Sequence, residues 1–128
     1  MAYGGGANGM SNRASVTEAE VGVLKNQLAS LEPFERLHNT MPLQYVKAFL
    51  LVAMDEGQNV TEYARRADIS PSLMTRHLAD LGDVNRYHEE GFGLVEHFPG
   101  VNDKRFRFVR LTPKGRGVVG QIVRAHAR

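Results

Sequence analysis

The chain has 128 residues, 42% of them apolar and 23% charged, with a formal net charge of +2 and no cysteine. That length and apolar content allow one domain with a modest core. The lack of thiols excludes disulfides, thiolate zinc sites and thiol redox chemistry, a pattern expected of a cytoplasmic protein.

Residues 1–14, MAYGGGANGMSNRA, are rich in Gly and nearly free of large apolar groups, so they read as a disordered tail before a domain over 15–128. They lack the basic start and apolar run of a secretory signal. A helix is expected over Val16 to Leu31. Ser15 and Glu18 form a capping box, Val21, Leu24, Leu28 and Leu31 recur at helical spacing, and Pro33 is expected to end it. Two heptads leave open whether that stripe packs on its own domain or against a second chain. A second helix, Pro42 to Glu56, starts near a proline and stops before Gly57. It is apolar almost all round and belongs at the centre. Its apolar run, Tyr45 to Met54, carries Lys47 and is far too short to cross a bilayer.

Residues Asn59 to Leu81, NVTEYARRADISPSLMTRHLADL, read as two short helices joined by a turn. Asn59 caps the first, with Glu62 at its third position, and Ala64 and Ala67 are small enough for another helix to cross closely. Asp68-Ile69-Ser70 turns the chain. Ser70 caps the second helix and Pro71 takes its first position, where a missing N–H costs nothing. Met74, His77, Leu78 and Leu81 define its buried stripe, which turns Ser72, Leu73, Thr75 and Arg76 outward. Short hydroxyls beside one guanidinium suit base edges and phosphates better than a core.

The chain is irregular from Gly82 to Gly93, then shows two strand-like runs, Leu94 to Phe98 and Arg105 to Leu111, joined by Pro99-Gly100-Val101-Asn102-Asp103. Charge is uneven. Residues 103–128 hold eight Lys/Arg (Lys104, Arg105, Arg107, Arg110, Lys114, Arg116, Arg124, Arg128) against Asp103 alone. The preceding segments, 1–60 and 61–102, are both net acidic. A cationic hairpin attracts a phosphate backbone through counterion release. Lys104 and Arg105 lie at its tip, and Asp103, two residues before Arg105, faces the same side and can orient it. Thr112-Pro113 opens a last helix weakened by Gly115, Gly117 and Gly120, with Val118, Val119, Ile122 and Val123 as its apolar side. The expected fold class is α+β and mostly helical: a winged helix-turn-helix with a two-stranded wing.

Catalytic and metal chemistry find little support. His38, His77, His88, His97 and His126 are scattered without i, i+4 pairs, and His77 on the buried stripe reads as a core histidine. His88 with Glu89 and Glu90 reads as exposed loop rather than as a metal site. No nucleophile elbow or phosphate loop is present. The chain is therefore not expected to be an enzyme, and no cofactor is implied.

From Pro42 to Val123 the chain resembles the winged-helix domain of MarR-type bacterial transcription regulators. EYARRADISPSLMTRHL is similar to that family's helix-turn-helix. DKRFRFVRLTPKG is similar to its wing signature, with Asp103, Arg105, Leu111, Thr112 and Gly115 at the family's offsets. The Thr-Arg-His-Leu run also occurs in ArsR-type repressors, so the helix-turn-helix alone does not choose between them. The resemblance implies a homodimer on a pseudo-palindromic operator, with Ser70, Ser72, Thr75 and Arg76 in the major groove. It also implies Arg105 in the minor groove, oriented by Asp103. The segment from Leu81 to Leu94 is longer than the family's usual connection and contains Glu89-Glu90. The chain ends at Arg128, where that family typically continues into a long dimerising helix.

The reading is a sequence-specific double-stranded DNA-binding regulator of transcription, most simply a repressor. Its homodimer would use residues 16–31 and the C-terminal helix. DNA-binding residues are expected to be Ser70, Ser72, Thr75, Arg76, Asp103, Lys104, Arg105, Arg107, Arg110 and Lys114, with Arg116 adding to the basic patch. The alternatives are a winged-helix protein-interaction module or a DNA-processing accessory factor. Operator, target genes and any small effector are not written in the sequence.

Overall fold

Thr17, rather than Ser15, caps the first helix in the computed structural model, which describes residues 15–83, 89–102 and 107–127. The expected tail over 1–14 lies outside the described residues. Ser15-Val-Thr17-Glu18-Ala-Glu20 contains two overlapping capping boxes. The second one forms: the Thr17 hydroxyl accepts from Glu20 N at 3.1 Å, and the Glu20 carboxylate accepts from Thr17 N at 2.9 Å. Helix α1 spans Glu18–Leu37 and passes through Pro33, which does not end it. A mid-helix proline forfeits one backbone bond. Here Pro33 and Phe34 are both buried, and Phe34 meets Phe49 edge-on at 5.5 Å. Burial of about 1.5–3 kcal/mol for a Phe side chain offsets most of that loss.

Helix α2, Leu43–Met54, buries Val46, Ala48, Phe49 and Val52. It is not apolar-buried on all sides, since Leu43, Leu50 and Met54 are exposed on its far face. The chain then turns at Gly57, whose φ of +91° favours glycine, and enters a strand absent from the sequence reading. This strand, β1 (Gln58–Asn59), is too short for any periodicity to show.

Helices α3 (Val60–Ala67) and α4 (Pro71–Leu81) follow. After them come strands β2 (Val95–Pro99) and β3 (Arg107–Leu111). Helix α5, Pro113–His126, completes the order. The sheet runs β1-β3-β2, antiparallel throughout, with Val95 opposite Leu111 and Pro99 opposite Arg107. The expected two-stranded wing is present, and β1 adds a third strand on its other edge.

The core joins Phe49 and Val52 of α2, Tyr63 of α3, Met74, Leu78 and Leu81 of α4, and Val95 and Val109 of the sheet. Helix α5 returns to pack along α1. Gly115 makes its entry possible: a Cβ there would lie 2.2 Å from the Leu94 carbonyl oxygen. The glycine that weakens the helix in the sequence is what lets it pass the strand. No described helix is long and apolar enough to cross a membrane.

Candidate nucleic-acid interface

The helix-turn-helix is built by two caps and a left-handed turn. The Asn59 side chain accepts from Glu62 N at 2.8 Å and starts α3. Asp68 adopts φ 58°, ψ 46°, a conformation that Asp tolerates better than most residues. The Ser70 hydroxyl accepts from Leu73 N at 3.1 Å, and Pro71 takes the first helical position of α4. Met74, His77, Leu78 and Leu81 are buried, as the spacing predicts. His77 lies against the Tyr45 ring at 5.0 Å, and the Tyr45 hydroxyl donates to the Asp80 carboxylate.

Ser70, Ser72, Leu73, Thr75 and Arg76 are all exposed. The Thr75 hydroxyl donates to Pro71 O at 2.8 Å, so it meets solvent with its methyl group and acceptor lone pairs. A methyl and an acceptor can read a thymine methyl or an amino group at a base edge. Beside α4, Glu62 of α3 is gripped by Arg65 at 2.6 Å and Arg66 at 2.7 Å. Those two guanidinium groups lower its carboxyl from the ordinary 4.5 to about 2. The Glu62 side chain is thus committed to cations one turn along its own helix, an arrangement that the capping-box reading did not include.

On the wing, Arg107 is exposed opposite Pro99, and Lys114 is exposed in the first turn of α5. Burial, and then the charge of Arg107, lower the pKa of His97 against the opposing pull of Asp83. Arg110 is engaged within the hairpin. Its Nε donates to Glu96 at 2.6 Å across the strands, and its guanidinium lies 4.5 Å above the Phe98 ring. Phe98 in turn sits 5.9 Å from Phe108. Arg116 is engaged too, donating to Glu56 at 3.1 Å and to Leu111 O at 3.4 Å. Asp103, Lys104 and Arg105 lie outside the described residues.

Sequence reasoning found the outward face of α4 and missed the carboxylates that hold Arg110 of the wing and Arg116 of α5. Glu96 carried a signal, because hairpin register sets it opposite Arg110. Glu56 carried none, since it meets Arg116 only through the fold. Among the described residues no group of three His, Asp or Glu side chains is arranged for a metal ion.

No protein-family model matches the chain. No curated protein sequence matches it either. Solved structures do. One from Mycobacterium tuberculosis, RV1404, is 16% identical with a TM-score of 0.64, over 99% of this chain and 79% of that one. A mutant of MarR from E. coli complexed with operator DNA is 20% identical, TM-score 0.58, over 84% of this chain and 69% of its own. A MepR-like protein complexed with pseudoligands is 20% identical, TM-score 0.52, and this chain spans 64% of its length. The fold is the winged helix of these proteins.

Proposed function

We propose that the chain is a MarR-type, sequence-specific double-stranded DNA-binding regulator of transcription that acts as a homodimer. The observation that carries this reading is the outward face of α4. Ser72, Thr75 and Arg76 are exposed beside a capped helix N-terminus, while every large apolar residue of the buried stripe faces the core. A face of hydroxyls and one guanidinium at the start of the second helix of a helix-turn-helix is the chemistry that reads base edges. The structural likeness to MarR, which is described with operator DNA, supports the same use.

In this reading Ser70, Ser72, Thr75 and Arg76 enter the major groove. Arg107 and Arg110 of the wing and Lys114 of α5 lie beside the duplex, and the contribution expected of Asp103, Lys104 and Arg105 falls outside the described residues. Dimerisation draws support from α1, where Val21, Leu24, Leu28 and Leu31 are exposed rather than packed on the domain. Val123 on α5 is exposed as well. A two-fold axis would set the two reading helices about 34 Å apart, one DNA turn. Selection of bound fragments from random duplex DNA tests binding, symmetry and spacing together. Enrichment of a two-fold motif with that spacing is the expected result, and no enrichment overturns the reading.

One observation favours a second reading. Arg110 and Arg116 are both paired to carboxylates within the chain, and α1 presents an apolar face, as a protein-interaction module would. A salt titration on random duplex separates the two, because such a module has no reason to lose affinity steeply with salt.

A further inference from the structure

Strand β1 is two residues long, and β3 outruns it. Gln58 pairs with Val109 and Asn59 with Phe108, and Gly57 N still donates to Val109 O at 2.8 Å. The next donor along that edge is Leu111 N, at a residue only 4% exposed, where the chain opposite has already turned back into α2. The Glu56 side chain takes the place of the missing strand: its Oε1 accepts from Leu111 N at 2.8 Å. Its Oε2 accepts from Arg116 at 3.1 Å, and the other terminal nitrogen of that guanidinium donates to Leu111 O. One carboxylate and one guanidinium therefore occupy the rung of β3 that lies beyond β1 and fasten it to the first turn of α5.

The residues beside Glu56 hold the helix-turn-helix. The Asp55 carboxylate pairs with Arg66 of α3 at 2.9 Å, and the Asp55 carbonyl accepts from the Tyr63 hydroxyl at 2.6 Å. Asn59 caps α3. The same short junction ties α3 on one side and the central wing strand on the other. This junction therefore touches both the helix-turn-helix and the wing.

We propose that Glu56 and Arg116 are positioning residues that set the wing against the helix-turn-helix, and that Arg116, despite its place in the basic segment, does not bind phosphate. To reach a phosphate, Arg116 would leave the Glu56 carboxylate unpaired beside the rung it completes. A cation already paired with a carboxylate displaces few counterions from DNA, so it adds little to the salt dependence of binding. Arg116 is 56% exposed at its side chain, so a phosphate could reach it and the distinction can be measured.

Two measurements on the full chain decide the matter. The first needs no DNA: hydrogen exchange at the Leu111 amide. Glu56→Ala removes the acceptor and is expected to speed exchange by about tenfold or more, whereas Glu56→Gln keeps an acceptor oxygen and keeps protection. Unchanged protection in Glu56→Ala overturns the positioning role of Glu56. The second rests on the DNA-binding reading: affinity for a random-sequence duplex of about two helical turns across a sodium chloride series. Lys114→Ala is expected to lower the log–log slope by about 0.9, and Arg116→Ala to weaken binding with the slope unchanged. Arg116→Gln serves the same comparison should the alanine variant fail to fold. A drop of about 0.9 with either Arg116 variant makes Arg116 a phosphate ligand and overturns the proposal. If the unaltered chain shows no salt-dependent duplex binding, the DNA-binding reading fails on its own, and the positioning role of Glu56 stands or falls by the exchange result.

Discussion

Helix α4 and the wing are held in place by different means. The signals that shape the exposed face of α4 lie within the helix-turn-helix segment, namely the Ser70 cap, Pro71 at the first position and a stripe at helical spacing, although that stripe packs on α2. The wing is held partly from within and partly from afar. Glu96 reaches Arg110 across the hairpin, and Glu56 reaches Leu111 and Arg116 from the end of α2. A local element can be altered without disturbing its neighbour, but a wing held by distant carboxylates changes whenever its holder does. Charge at α4 is therefore available to a ligand as written, whereas part of the wing's charge is already engaged.

That contrast can be broken hardest from inside α4. Leu78 is fully buried, so Leu78→Ala is expected to cost about 3 kcal/mol of stability by chemical denaturation, with DNA binding lost only as far as the fold is lost. A cost below about 1 kcal/mol would mean that the stripe is not the face that seats the helix. Next in size is the wing's holder. Glu56→Ala strands the Leu111 amide and is expected to cost about 2 kcal/mol, with Glu56→Gln costing clearly less. Equal losses in the two variants would assign the effect to charge rather than to the rung.

Smaller still is the cap. Ser70→Ala removes the acceptor for Leu73 N and is expected to cost about 1 kcal/mol, the order found for helix N-caps. It should fray the start of α4 and weaken sequence preference more than non-specific affinity, which fragment selection would report. The smallest effect sharpens the comparison through pH. Folding depresses the Glu62 carboxyl from 4.5 to about 2, because Arg65 and Arg66 favour its ionised form. Its stabilisation is complete above about pH 4.5 and is lost as pH falls through about 2. Glu62→Gln should flatten the stability profile over that acid window alone, and an unchanged profile would show that the pair is not formed in solution.

The sequence reveals elements whose causes are local. Asn59, Ser70 and Thr112 cap the helices expected of them, and Met74, His77, Leu78 and Leu81 are buried as their spacing predicts. Local signals failed where two were equivalent or where burial outweighed one. Ser15 and Thr17 offered competing caps, and packing carried α1 through Pro33. Strand β1 has no periodicity of its own and forms because β3 lies beside it.

By itself, then, the order of residues determined the helix-turn-helix, the existence of a cationic hairpin and the side of α4 that faces outward, since each follows from contacts a few positions apart. Only the tertiary structure decided that Glu56 holds Arg116, which glycine permits a close crossing, and that the α1 stripe lies open. Those outcomes depend on residues brought together from far along the chain, as Glu56 and Arg116 are at 3.1 Å. No spacing rule connects such residues until the core has formed.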